Sequence, residues 1–288
     1  MSRWIALLAL CSTLAVASVA LARQETGFLD RSIIFHGLEY RYAVDVPRYW
    51  SPVRRWSVIV ALHGGGTYGT DGLTPAEGAL GKGIRTHPDR YPAIVIFPHG
   101  HADGLGWQGP NGEVALEEMR DTLADFHGDP SRVYLTGFCA GGNGAWWLAF
   151  HHPGQFAAAV IVCGWVAPFT GRQSHIAYPS IAPAAAGDVY AAVAKGVGRL
   201  PIWLVHGDAD QTVSLEESRH MFAALKAASD DVHLTELPGV DHPAWDPAYQ
   251  DPEIAAWLSR NGGADLRRPA HHPAAWPPRR SATGRSRS

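Results

Sequence analysis

The stretch Val133-Tyr-Leu-Thr-Gly-Phe-Cys-Ala-Gly-Gly-Asn-Gly-Ala-Trp-Trp-Leu-Ala149 decides the fold. A short apolar run, Val133–Thr136, enters Gly137-Phe138-Cys139-Ala140-Gly141, and a stretch of helical character follows. A strand that turns this abruptly into a helix leaves no room for side chains flanking the central residue, which is the physical reason for glycine at 137 and 141. The central residue then sits at the start of the helix, where the dipole favours negative charge. A thiol there is expected to ionise more readily than an ordinary cysteine. The pattern therefore offers Cys139 as a nucleophile, with a structural cysteine on a tight βα turn as the competing reading.

Working outward, apolar runs bounded by Gly and Pro recur along the chain. Ser32–Phe35 and Tyr40–Val46 suggest an antiparallel hairpin around His36-Gly37. Ser57–Leu62, Ala93–Phe97, Val133–Thr136, Ala157–Val162, Pro201–Val205 and Val232–Glu236 read as short strands, most of them buried. Helical periodicity covers Val114–Phe126, Asn143–Phe150, Val189–Val197, Leu215–Ala228 and Pro252–Leu258. Strands alternating with helices from the third strand onward predict an α/β fold: an eight-stranded, mostly parallel sheet with helices on both faces. Residues 165–187 show no clear periodicity, and a loop of that length in a compact domain is usually functional. It is read as a cap over the cleft.

Of the 288 residues, 46% are hydrophobic and 18% charged, with eleven Trp, which suits one large globular domain rather than a disordered chain. Arg3, the apolar run from Trp4 to about Ala17, and Ala20-Leu21-Ala22 form a secretory signal peptide pattern over residues 1–22. Secreted or periplasmic localisation follows, with no stable membrane insertion after cleavage. Residues 263–288 carry six Arg and Asp265 and are rich in Pro and Ser, so they are expected to be a disordered basic tail. Removing those two termini from a net charge of −3 leaves −9 on residues 23–262, the predicted domain. That balance argues against a nucleic-acid partner, and the sequence assigns no oligomeric state. After cleavage two cysteines remain, Cys139 and Cys163, and export makes a disulfide between them an open alternative.

Open α/β sheets gather their ligands at the carboxyl ends of the strands. Leu62-His63-Gly64-Gly65-Gly66 follows one strand, and its glycines allow backbone N–H groups to face a cleft and stabilise an oxyanion. The partner donor is the N–H of Ala140, just after Cys139. His206-Gly207-Asp208-Ala209-Asp210 follows another strand and supplies a carboxylate to orient a histidine; spacing alone leaves Asp208 and Asp210 open. Pro238-Gly239-Val240-Asp241-His242 follows the last strand and supplies the histidine. His99-Gly100-His101 lacks a further ligand at metal-site spacing, so no metal or other cofactor is expected.

These pieces, in the order nucleophile, acid, histidine, resemble the α/β-hydrolases, whose nucleophile elbow reads G-x-S-x-G. The chain is similar to secreted members described as phospholipase/carboxylesterase-like, feruloyl-esterase-like or predicted peptidases. The likeness runs from about Gly37 to Tyr249. It rests on Leu62-His-Gly64, Asp129-Pro-Ser-Arg-Val-Tyr-Leu-Thr-Gly137, Pro153-Gly-Gln-Phe-Ala157, Pro201-Ile-Trp-Leu-Val-His-Gly-Asp-Ala-Asp210 and Pro238-Gly-Val-Asp-His242. The resemblance implies Asp210 as the acid, His242 as the base and Gly65 as an oxyanion donor. Two departures stand out. Cys139 replaces the family's serine, as in dienelactone hydrolase, which carries G-x-C-x-G. Asp241 stands where glycine commonly precedes the histidine, and its carboxylate is expected to raise the His242 pKa.

The expected function is cleavage of a carboxylic ester or related acyl bond in a small-molecule or polymer-linked substrate, through a Cys139–His242–Asp210 triad and an acyl-enzyme. A thiol-dependent lactonase or acyl transferase, and a ligand-binding pseudo-enzyme, are the alternatives.

Overall fold

The apolar runs become strands of one eight-stranded sheet. In the computed structural model, residues 25–260 are described, apart from 103, 171–176 and 228–230. The expected signal peptide, 1–22, and basic tail, 263–288, lie outside the described residues. The strands of the large sheet are β1 (Gly27–Phe35), β2 (Leu38–Val46), β3 (Trp56–Leu62), β4 (Ile94–Pro98), β5 (Gly128–Phe138), β6 (Ala158–Val162), β9 (Ile202–Gly207) and β10 (Val232–Leu237). Two short strands, β7 (Phe169–Thr170) and β8 (Ala177–Tyr178), pair separately. The spatial order of the large sheet is β1-β2-β4-β3-β5-β6-β9-β10. β1–β2 and β2–β4 are antiparallel and every other pairing is parallel. The β1–β2 turn is His36-Gly37, both at positive φ (49° and 82°), as the commonest two-residue hairpin turn requires.

Helices cover both faces. Along each buried strand, alternate residues point to opposite sides. Val58, Val60, Leu62, Val133 and Leu135 pack with α2 (Pro110–Asp125), α3 (Ala140–His151), α4 (Val189–Val197) and α5 (Leu215–Lys226). Ile59, Ala61, Tyr134, Val160 and Val162 pack with α1 (Ala79–Thr86), α6 (Trp245–Gln250) and α7 (Pro252–Arg260). Every residue of β4 and β6 is buried, which explains why these strands read as continuous apolar runs. None of the helices among the described residues is long and apolar enough to cross a membrane.

Two helices escape the sequence pattern. In α1, Gly81 and Gly83 lower the intrinsic propensity, yet both glycines press against backbone where a Cβ would collide. α6 is only six residues long and contains Pro247. The described part of the expected cap, 165–187, holds β7, β8 and a single 3₁₀ turn; 171–176 lie outside the described residues. Its described part is tied to the domain by Asn143, which donates to the Trp165 carbonyl at 3.0 Å, and by Gln108, which donates to the Pro179 carbonyl at 3.0 Å.

Candidate active site

The parallel register brings the strand ends together. Leu62 pairs with Gly137, Phe138 with Val162, Val162 with Val205, and Gly207 with Leu237. The segments that follow β3, β5, β6, β9 and β10 therefore meet along one edge of the sheet.

Cys139 lies at the turn between β5 and α3, at φ 54°. Its neighbours explain the glycines. A Cβ on Gly137 would lie 2.2 Å from the Gly141 carbonyl oxygen, and one on Gly141 would lie 2.1 Å from that of Leu62. Any larger residue would push the helix off the sheet and pull the thiol away with it. Cys139 is also the N-cap of α3, and no side chain caps that end. Elsewhere Asp188 caps α4 and Ser214 caps α5 through hydrogen bonds to backbone N–H groups. The first N–H groups of a helix have no partner within it, so the end of α3 at Cys139 leaves the Ala140 N–H without one.

The loop after β3 comes up beside this helix end. A Cβ on Gly65 would lie 3.7 Å from that of Ala140 and 3.6 Å from the Tyr178 hydroxyl. The loop is braced by His63, which is buried. Its Nδ1 lies 2.8 Å from the Gly64 carbonyl, and its Nε2 accepts from the Gly100 N–H at 3.1 Å. Burial holds the imidazole down at a pKa of about 3, so it stays neutral, and Nδ1 carries the proton that Gly64 accepts. Trp107 donates to the His63 carbonyl at 2.9 Å.

The opposite flank is ionic. His242 Nδ1 lies 2.8 Å from Asp210 Oδ2, and the Asp210 side chain is fully buried. The other Asp210 oxygen accepts from the backbone N–H groups of Thr212 (2.7 Å) and Val213 (2.9 Å). His206, also fully buried, places Nε2 3.2 Å from Asp210 Oδ2 and sets its Nδ1 2.7 Å from the Ser218 hydroxyl. Burial alone would raise the Asp210 pKa. The hydrogen bonds from His206, His242, Val213 and Thr212 outweigh it and hold the carboxyl well below the usual range.

Burial likewise pulls His242 down, but its hydrogen bonds with Asp210 and with Cys139 lift its pKa to about 9. The expectation that Asp241 raises it is corrected here. The Asp241 carboxylate turns away, accepting from the Gln211 N–H at 2.8 Å and the His242 N–H at 2.7 Å, and it fixes the backbone of both arms instead. Asp208 and Asp210 are also told apart. Asp208 accepts from the Gly239 N–H at 2.7 Å, joining the ends of β9 and β10, while Asp210 meets the histidine ring. The structure thus brings Cys139, Asp210, His242, Gly65 and Ala140 to one place.

Several neighbours had no clear signal in the sequence. Trp165, Tyr178 and Val213 pack with Ala140, with Cys139 and Phe169 against them, as an aromatic wall beside the elbow. The aromatic residues come from the stretch 165–187, read from the sequence as a cap, but without periodicity no individual residue of it was singled out. Cys163, buried at the end of β6, donates to the His242 carbonyl at 3.6 Å. Both cysteines are free thiols, which sets aside the crosslink as a feature of this structure. Cys163 with Asp210 and His242 forms a group of donor atoms within 4.8 Å of one another. A metal there would have to displace the Asp210–His242 hydrogen bond. The His99 nitrogens are already engaged by the Gly72 N–H (2.9 Å) and the Thr67 carbonyl (2.7 Å).

The chain belongs to the prolyl oligopeptidase family, whose profile matches residues 116–261, just over half of its length. It is 30% identical over 129 residues to a Yersinia pestis protein provisionally named carboxymethylenebutenolidase, an overlap of 45% of this chain and 43% of that one. The chain therefore spans under half the length of that relative. Among solved structures, a thermostable esterase superposes with a TM-score of 0.66 at 25% identity, covering 80% of this chain and 62% of that one. An S-formylglutathione hydrolase from Agrobacterium tumefaciens superposes with a TM-score of 0.60 at 18% identity, covering 83% and 98%, a likeness of fold.

Proposed function

We propose that the protein is a hydrolase that cleaves carboxylic esters or related acyl bonds, with Cys139 as nucleophile, His242 as general base and acid, and Asp210 as the orienting carboxylate. One observation carries this reading: His242, held by Asp210 at 2.8 Å and raised in pKa by Asp210 and Cys139 together, faces a strand-to-helix elbow whose helix end has no side-chain cap. The Cys139 thiolate attacks the acyl carbonyl, and the oxyanion forms beside the N–H groups of Ala140 and Gly65. The tetrahedral intermediate collapses, the leaving alcohol takes its proton from the His242 imidazolium, and a thioester remains. Water, deprotonated by His242, then attacks the thioester and releases the acid. Asp210, ionised throughout, holds the imidazole in the tautomer with its proton on Nδ1.

A second reading within the same chemistry is favoured by the thiol at the elbow together with the carboxymethylenebutenolidase name of the Yersinia pestis relative. In it the substrate is an activated lactone, whose acyl and leaving groups stay joined after ring opening. Side-by-side kcat/KM values on nitrophenyl esters and on an enol lactone, for the parent and for Cys139→Ser, decide between them. A serine form that retains the alkyl ester favours the esterase reading, and one dead on the ester favours the lactonase. A parent with no turnover of either class sinks both and leaves a ligand-binding module. Export is proposed on the Arg3, apolar-run and Ala20-Leu21-Ala22 pattern, and N-terminal sequencing of the protein recovered from a secreting host checks it.

A further inference from the structure

Cys163 has no part in the proposed chemistry, yet it lies beside all three triad residues. The β5–β6 ladder pairs Phe138 with Val162, and it continues as the Cys139 N–H donates to the Val162 carbonyl at 3.0 Å. The next residues across the ladder are Cys139 and Cys163. Adjacent strands lie about 4.8 Å apart, inside the Cα separation of about 4.4–6.8 Å that a disulfide spans. Both cysteines leave their strands in the left-handed region, at φ 54° and 41°, which only glycine adopts freely. For Cys139 the elbow accounts for this; for Cys163 the reaction supplies no reason. Its sulfur reaches the His242 carbonyl and shares a 4.8 Å cluster with the Asp210 carboxylate and the His242 ring.

We propose that Cys139 and Cys163 form a reversible disulfide under hydroperoxide oxidants, switching the nucleophile off and shielding it from irreversible oxidation. The switch rests on the assignment of Cys139 above, whereas the bond itself does not. In the first step the Cys139 thiolate attacks one peroxide oxygen. An S–O bond forms and the O–O bond breaks, and the departing hydroxide takes a proton to become water. In the second step the Cys163 sulfur attacks the Cys139 sulfenic acid. The S–S bond forms, the S–O bond breaks, and the hydroxyl leaves with the Cys163 thiol proton as a second water. Two thiols are oxidised and one peroxide is reduced. Burial keeps Cys163 a neutral thiol, its pKa pushed well above the usual value. It therefore neither competes for substrate nor reacts readily with peroxide itself, and it gives up its proton only as it attacks the adjacent sulfenic acid.

The test treats the full chain with a small molar excess of hydrogen peroxide and follows three readouts: nitrophenyl acetate turnover, intact mass after alkylation in denaturant, and a non-reducing peptide map. The expected result is loss of the Cys139 and Cys163 alkylation sites, a linked peptide pair carrying those two residues, and near-complete recovery of turnover with dithiothreitol. In Cys163→Ser the same treatment should leave Cys139 as sulfinic acid, and at least about tenfold less activity should return. Sulfinic acid on Cys139 with Cys163 still alkylatable in the parent overturns the proposal, whether or not the variant folds. A linked pair in a chain without Cys139-dependent turnover leaves the bond standing and overturns the enzymatic reading instead.

Discussion

His63 and His242 flank the elbow from opposite sides and are driven in opposite directions. Both lose hydration on folding. The His63 ring nitrogens hydrogen-bond only to backbone groups, the Gly64 carbonyl and the Gly100 N–H, and its pKa falls to about 3. His242 meets the Asp210 carboxylate and the Cys139 side chain, and its pKa rises to about 9. Burial by itself turns an imidazole into a neutral brace, and a charged partner is what turns one into a proton carrier. One flank of the site is thus built to stay put, and the other to move a proton.

The largest expected effect breaks the ionic flank. His242→Ala and Asp210→Asn should each lower kcat by about 10³ or more, by analogy with other triads. Asp208→Asn, which loses only the tie to the Gly239 turn, should cost far less. A critical Asp208 with a dispensable Asp210 would show that the ionic flank is misassigned. Next comes the neutral flank. His63→Leu removes the brace of the Gly65 loop, and kcat should fall about tenfold to a hundredfold, below the about 10²–10³ of losing an oxyanion donor outright. KM should change little. An NMR titration of the His63 ring with a midpoint between pH 5 and 7 would contradict its assignment as permanently neutral.

The pH profile sharpens the same contrast. The Cys139–His242 pair works with one proton, so kcat/KM should fall as pH rises past about 9, where His242 loses its proton. In Asp210→Asn that limb should move to lower pH, since the Asp210 hydrogen bond is the largest upward influence on His242. The folded-state pKa of His242 lies above its unfolded value. Its contribution to stability is therefore complete below about pH 6.5 and is lost as pH rises through about 9. Asp241→Asn should leave the upper limb in place, because that carboxylate faces backbone N–H groups.

Glu118 in α2 provides the smallest effect, a buried group with no charged partner. Neither carboxyl oxygen finds a hydrogen bond, and burial pushes its pKa well above the usual range. With the folded value above the unfolded one, its contribution falls away as pH rises above about 4.3. Glu118→Gln should accordingly melt a few degrees higher than the parent at pH 8, with the gap closing toward pH 4. Thermal melts across that range check it.

Much of this was legible in the chain because it is written in short-range geometry. The β5–α3 elbow needs glycine at 137 and 141, and the Leu62-His-Gly and His206-Gly-x-x-Asp210 patterns each fall directly after an apolar run. Those signals located the strand ends, and the parallel register then brings them together. What stayed hidden depends on contacts far apart in sequence. By spacing alone, Asp208 and Asp210 look equally able to serve His242 until the backbone N–H of Gly239 claims the former. The aromatic wall of Trp165, Phe169 and Tyr178 comes from a segment with no period, and the meeting of Cys139 with Cys163 needs the β5–β6 register. α1 was obscured by its own glycines, which are there for close packing rather than flexibility.

The central claim is that Cys139 carries the acyl group. It is tested most directly by mixing the protein with a nitrophenyl ester, quenching in acid within the first turnovers, and measuring intact mass and a peptide map. The account predicts an adduct equal to the acyl group, on Cys139, labile to hydroxylamine, and formed in a burst matched by released nitrophenol. Turnover that proceeds with Cys139 unmodified, or with the acyl group on any other residue, would contradict it.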